Sequence, residues 1–186
     1  MRQTSFANMH CSLARSLEKV GDWWTPLILR DVFLGLNRFD DLADDLGISR
    51  NMLTTRLGAL VDNGIVERVR YSVRPPRDRY VLTQAGRELV PVLTALTAWG
   101  DRWATPPGGP AAIHRHTPCG QHFTPTVTCS ECGAKVRTEE LEVLPGPGAR
   151  RGPGTALYGS LLRGRESVDD ASAPLKTPHC KKGLAQ

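Results

Sequence analysis

Leu13, Leu17 and Val20 recur at helical spacing up to Gly21, and Trp24, Leu27, Ile28, Val32 and Leu34 repeat the period as far as Gly35. Two helices are predicted here, the second more buried. Phe39, Leu42 and Leu46 form the apolar stripe of a short third helix closed by Gly47-Ile48-Ser49, and Leu53, Leu57, Leu60 and Val61 mark a fourth that ends at Asn63-Gly64. The period then changes. Ile65 to Tyr71 and Arg79 to Leu82 are rich in β-branched and aromatic residues and flank Pro75-Pro76, which predicts a two-stranded hairpin with its tip held open by the prolines. Thr83 can cap a long last helix through Leu89, Val92, Leu93, Leu96 and Trp99 to Trp103, with Pro91 expected to bend it.

Almost all of this periodicity lies in residues 10–104, which suits one core. Residues 105–113 include Thr105-Pro106-Pro107-Gly108-Gly109-Pro110, whose prolines lack donors and whose glycines lose much entropy on ordering, so they read as a linker. A cysteine-rich segment follows at 114–144. Residues 145–186 carry seven Gly and five Pro in 42 residues, a composition that seldom folds, and are expected to be a disordered tail. With 186 residues in all, a large multidomain enzyme is excluded. No run approaches 18 apolar residues and the start has no apolar leader core, so no membrane association and a cytoplasmic, nucleoid-associated location are expected.

A short helix, a tight turn and a second helix let the first rest across phosphates while the second enters the major groove. Ser49 stands at the N-cap of that second helix, where backbone N–H groups and the positive dipole end favour a phosphate, although capping alone accounts for a serine there. With Leu53, Leu57, Leu60 and Val61 inward, a 100° step turns Asn51, Thr55 and Gly58 outward and leaves Arg50, Thr54 and Arg56 at the flanks. Asn and Arg suit bidentate contacts to purine edges, and a Thr methyl can meet thymine. Any solvated helix can carry the same residues, so charge decides the matter. The whole chain has formal net charge +5, and Arg68, Arg70, Arg74, Arg77 and Arg79 against Asp78 concentrate nearly as much on the hairpin. Such a ribbon can track a phosphate backbone or enter a minor groove. Against this, Asp40, Asp41, Asp44 and Asp45 on the third helix repel phosphate. The expected fold class is therefore mostly α with a small β-hairpin wing: a winged helix-turn-helix domain, a small zinc-ribbon-like extension and a tail.

The run Val20-Gly21-Asp22-Trp23-Trp24-Thr25-Pro26-Leu27-Ile28-Leu29-Arg30-Asp31, then Arg38 to Leu42, Gly47 to Leu57, Asn63 to Arg68, Tyr80 to Thr83, Gly86 and Trp99 to Trp103, resembles the HxlR-type winged helix-turn-helix regulators, a bacterial family related to the MarR regulators. The likeness covers about half the chain, from Cys11 to Trp103. It implies a homodimer joined through the first and last helices, a recognition helix at Ser49 to Asp62, and repression or activation of genes through a double-stranded DNA operator under a small-molecule or redox effector. Gly58, where a longer polar residue is common, and the acidic third helix depart from the family pattern. Trp99 and Trp103, joined by Leu13 and Leu17, also offer more apolar surface than a domain of this size can cover alone.

Five cysteines is an odd number, and Cys119, Cys129 and Cys132 fall within 14 residues, which reads as a metal cluster before a disulfide framework. His116-x2-Cys119 and Cys129-x2-Cys132 are each followed by glycine, Gly120 and Gly133, which permits a tight turn around a metal-bound thiolate. Three thiolates and one imidazole make a closed tetrahedral site, so the expected cofactor is one structural zinc; His114 or His122 can take the place of His116, and unmetallated thiols are the plainer alternative. Many members of the resembled family carry a similar extension. The resemblance also implies a redox-sensing role for Cys11, beside the plainer reading of a small buried residue. No Ser/His/Asp arrangement, P-loop or paired catalytic carboxylate appears, so no enzymatic activity is expected. Beside a DNA-binding regulator stand two alternatives: a protein-interaction module using the winged helix and cysteine cluster, and a thiol-based redox-responsive protein.

Overall fold

The computed structural model describes residues 5–157. Among the described residues the chain divides into two compact units, residues 16–125 and residues 5–15 with 126–157. Helix α1 spans Ser12–Val20 and buries none of its residues. Helix α2, Thr25–Leu34, starts where the Asp22 carboxylate accepts the N–H groups of Trp24 (2.9 Å) and Thr25 (3.1 Å) and ends at Gly35, in the left-handed region at φ 98°. Helix α3, Phe39–Leu46, closes at left-handed Gly47, and the next two residues, Ile48 and Ser49, lead into α4, Arg50–Asp62.

The core joins Ile28, Leu29 and Val32 of α2, Leu42 and Ala43 of α3, and Leu53, Leu57 and Leu60 of α4 to Ile48, Ile65, Val66 and Leu82. The stripes expected for the third and fourth helices face this core, with Leu42, Leu53, Leu57 and Leu60 buried in it and Phe39, Leu46 and Val61 half-buried against it. In α2 the buried face is rotated: Leu29 and Asp31 lie inside, while Leu34 is exposed.

The hairpin pairs β1, Val66–Val73, with β2, Pro76–Leu82, antiparallel from Val66 opposite Leu82 to Val73 opposite Pro76. A bulge at Tyr71 shifts the register. The strands thus reach further than the β-branched runs suggest, and the loop shrinks to Arg74 and Pro75, joined by a cis peptide bond. Pro76 is tolerated because both strands are edges and it has no donor to lose. Asn37 ties the helix pair to this ribbon by accepting the Tyr80 N–H at 2.8 Å, and Arg38 forms an isolated bridge with Arg79.

Helix α5 runs from Gln84 to Trp103 with Pro91 inside it. Thr83 caps it by accepting the Gly86 N–H (3.2 Å), and the Thr83 hydroxyl contacts the Gly64 and Ile65 carbonyls. Gly86 permits this approach, since a β-carbon there would stand 2.2 Å from the Ile65 carbonyl oxygen. Residues 105–113 hold no helix or strand. In the other unit, Thr138–Glu140 forms a 3-10 turn and Thr155 is buried, its hydroxyl donating to the Arg150 carbonyl at 2.7 Å. Of the expected tail, residues 158–186 lie outside the described residues. Among the described residues no helix is long and apolar enough to cross a membrane.

Candidate nucleic-acid interface

Ser49 Oγ accepts the Met52 N–H at 3.3 Å, which fixes the start of α4 as expected. Beyond it Arg50, Asn51, Thr54, Thr55 and Gly58 are exposed along one side of the helix, with Met52 exposed at its edge. The Thr54 and Thr55 hydroxyls donate to the carbonyls of Arg50 (2.8 Å) and Asn51 (3.0 Å). Their hydrogen-bonding capacity is thereby engaged locally, and the methyl groups are what these residues offer a base edge.

The two arginines of this helix have carboxylate partners. Arg50 Nη1 lies 2.9 Å from Asp40 Oδ1 and the guanidinium sits 4.8 Å from the Phe39 ring centroid. Arg56 turns back toward the loop before α2, with Nε 3.3 Å from Asp22 Oδ1 and its side chain only 28% exposed. The structure therefore separates Arg56 from the outward group of Asn51, Thr54 and Thr55.

On the wing, Asp78 draws in Arg68 and Arg70, whose Nε atoms donate to its two oxygens at 2.5 and 2.6 Å. The Arg70 hydrogen bond, and then that of Arg68, holds the Asp78 carboxyl below the usual carboxylate range. Arg74, Arg77 and Arg79 are exposed and have no ion-pair partner among the described residues; Arg74 and Arg77 lie at the tip and Arg79 in mid-strand opposite Val69. Between wing and helix pair lies a polar cleft of about 540 Å³ whose lining includes Arg38, Arg50, Tyr71, Arg77 and Tyr80. Arg38 stacks 5.0 Å over the Tyr71 ring. The sequence reading missed these two; the only available signal was a cation directly before the third helix and an aromatic residue in a strand. The acidic helix is also less repulsive than its composition suggests, because Asp40 pairs with Arg50 and Asp45 Oδ2 lies 3.4 Å from Arg30 Nη2.

The four expected zinc donors occupy two small turns. His116 and Cys119 share one, with Nδ1 and Sγ 3.3 Å apart, and Cys129 and Cys132 share the other. Backbone N–H groups of Cys132 and then Glu131 hold the Cys129 thiol below its ordinary value. Among the described residues no three His, Cys, Asp or Glu side chains are gathered as donors. Cys11 is a half-buried free thiol one residue before α1.

A recognition helix capped at Ser49, backed by a shorter helix and flanked by a basic wing, defines a winged helix-turn-helix DNA-binding protein. Residues 19–107 match the HxlR-like helix-turn-helix family model, and the chain belongs to that family. It is similar to an uncharacterized HTH-type transcriptional regulator of Mycobacterium tuberculosis, 44% identical over 137 residues that make up 74% of this chain and 87% of the relative. A further HTH-type regulator, from Synechocystis, is 39% identical over 94 residues, 50% of this chain and 70% of the relative. The crystal structure of PA1607, described as a candidate transcription factor, superposes with TM-score 0.67 at 33% identity, covering 75% of this chain and 98% of that one. A second such structure, PA1374 of Pseudomonas aeruginosa, gives TM-score 0.54 at 38% identity, covering 83% and 99%. The protein is a DNA-binding transcriptional regulator, and family and fold place its function in binding rather than catalysis.

Proposed function

We propose that this regulator works in the cytoplasm as a homodimer on an operator, reading bases with Asn51, Thr54 and Thr55 of α4 and holding the phosphate backbone with Ser49, Arg50, Arg74 and Arg77. The observation that carries this reading is the exposed polar side of α4 beside a cleft and wing tip whose arginines are turned to solvent. Arg56 enters as a positioning residue, since its partner is Asp22. The second copy is supported by α5, where Val92, Leu96, Trp99 and Trp103 are all more than half exposed at spacings of one helical face. Two-fold symmetry then sets half-sites about 34 Å, or one DNA turn, apart.

The test is selection of binding sites from random duplexes, followed by footprinting on the enriched sequence. A two-fold symmetric site is expected. Asn51→Ala is expected to cost about 1 to 3 kcal/mol on that site and little on random DNA. Equal losses on both would make Asn51 a positioning residue, and absence of any enriched sequence would remove base readout from α4.

A further inference from the structure

A second cavity, of about 500 Å³, opens within the winged-helix unit where α2, β2 and the first half of α5 meet. Its walls are apolar: Val32 and Phe33 come from α2, Val81 and Leu82 from β2, and Val90 and Pro91 from α5. Val32 and Leu82 belong to the core, whereas Phe33 stands 58% exposed beside them. The volume lies within the range of sites that take small organic ligands, about 300 to 1,000 Å³.

Arg87 is the one charged residue of this lining. Its Nη1 donates to the Leu82 carbonyl at 2.7 Å, which holds the guanidinium at the end of β2. A guanidinium has five N–H donors, so this bond leaves most of the fork unused. Arg87 has no ion-pair partner among the described residues. A held guanidinium without a carboxylate, beside apolar walls, is complementary to an anion that carries an apolar body. One cation in the lining matches a single negative charge, and the planar fork matches a carboxylate.

We infer that this cavity binds a small hydrophobic monocarboxylate, its apolar body against Val32, Phe33, Val81 and Val90 and its carboxylate on Arg87. The site is also placed to act on DNA binding. Tyr80 lines this cavity and the polar cleft between wing and helix pair, and its N–H makes the bond that ties Asn37 to the ribbon. Strand β2 is thus a wall of both. A ligand seated between α2, β2 and α5 favours one spacing of these elements, and it shifts the position of the wing by its differential affinity for that spacing. This regulatory step rests on the DNA-binding reading above; the binding of the carboxylate does not.

The test uses the full chain and two probes of the same shape, naphthoate and its neutral counterpart naphthamide. Calorimetric titration without DNA is expected to show one naphthoate per chain, bound about tenfold or more tighter than naphthamide. Arg87→Gln is expected to remove that preference, and Phe33→Ala to weaken both probes, with helical circular dichroism checking that each variant is folded. No binding of naphthoate at millimolar concentration, equal affinity for acid and amide, or an Arg87→Gln chain that keeps the preference would each overturn the site. Saturating naphthoate is then expected to change operator affinity about fivefold or more in the native chain and not in Arg87→Gln. Naphthoate that binds through Arg87 and leaves operator affinity unchanged would overturn the regulatory step, and a chain that binds naphthoate but no DNA would overturn the DNA reading while the carboxylate site stands.

Discussion

Arg56 of the recognition helix is tied to Asp22, the residue that starts α2, with Nε 3.3 Å from Oδ1. The same carboxylate accepts the Trp24 and Thr25 N–H groups, and its second oxygen takes the Thr25 hydroxyl. One side chain thus both caps α2 and pairs with an arginine of α4. Asp22→Ala is expected to lose the cap and leave Arg56 unpaired, at a cost of about 1 to 3 kcal/mol in stability. Arg56→Met, which keeps the apolar stem, should lose less. Denaturant unfolding beside anisotropy on folded protein separates the two effects; an Arg56→Met chain of unchanged stability that loses all DNA binding would place Arg56 at a base edge.

The wing divides its arginines into an engaged pair and an exposed set. Arg77→Ala is expected to weaken binding to all duplexes and to reduce the slope of log affinity against log salt by about one. Asp78→Asn should act in the opposite sense, because it releases Arg68 and Arg70 from their shared partner. A steeper salt dependence in Asp78→Asn and a shallower one in Arg77→Ala is the expected pattern. Equal slopes in all three proteins would take the hairpin out of the interface.

These relationships mark what was legible in the sequence. The helices with regular apolar stripes were readable because burial follows the 3.6-residue period, and the caps at Ser49 and Thr83 because their side-chain chemistry is local. The turning of Arg56 was not readable, since a helical wheel places a residue at a flank without saying which carboxylate thirty-four positions earlier will meet it. For the wing, a sum of charges could not show that Asp78 engages two arginines at once. The length of the hairpin was also hidden, because two prolines beside β-branched runs usually signal a strand end, and here Pro76 pairs within the strand.

Asp31 gives the stability a pH signature. It is 1% exposed, Oδ1 accepts the Arg30 Nε–H at 2.7 Å, and buried Oδ2 has no hydrogen-bond partner among the described residues. Burial raises its carboxyl above the ordinary 3.8, and Arg30 offsets this in part. Folding therefore favours the protonated form: the penalty is present above the raised value and is relieved as pH falls through it toward 3.8. The stability of the native chain minus that of Asp31→Asn is expected to rise as pH falls across this window, while the other carboxylates cancel in the difference. A difference that is flat with pH would mean that Asp31 is solvated or fully paired.

The last expectation concerns the outer half of α5. Leu89, Val90 and Leu93 pack against the core, whereas Leu96, Trp99 and Trp103 stand 56%, 60% and 66% exposed at spacings of three and four residues. One face of a single helix thus changes from core to open surface along its length, and burying those three side chains against a second copy would contribute about 1.5 to 3 kcal/mol each. Leu96→Glu is expected to place a charge in that face and shift the chain toward monomer without unfolding it, because the position is exposed in the single chain. The monomer should retain non-specific DNA affinity and lose the symmetric operator, since its two half-sites are no longer joined. Analytical ultracentrifugation at micromolar concentration, read beside operator binding, decides it: a native chain that sediments as a monomer, or a Leu96→Glu chain that stays dimeric, would place the interface elsewhere or nowhere.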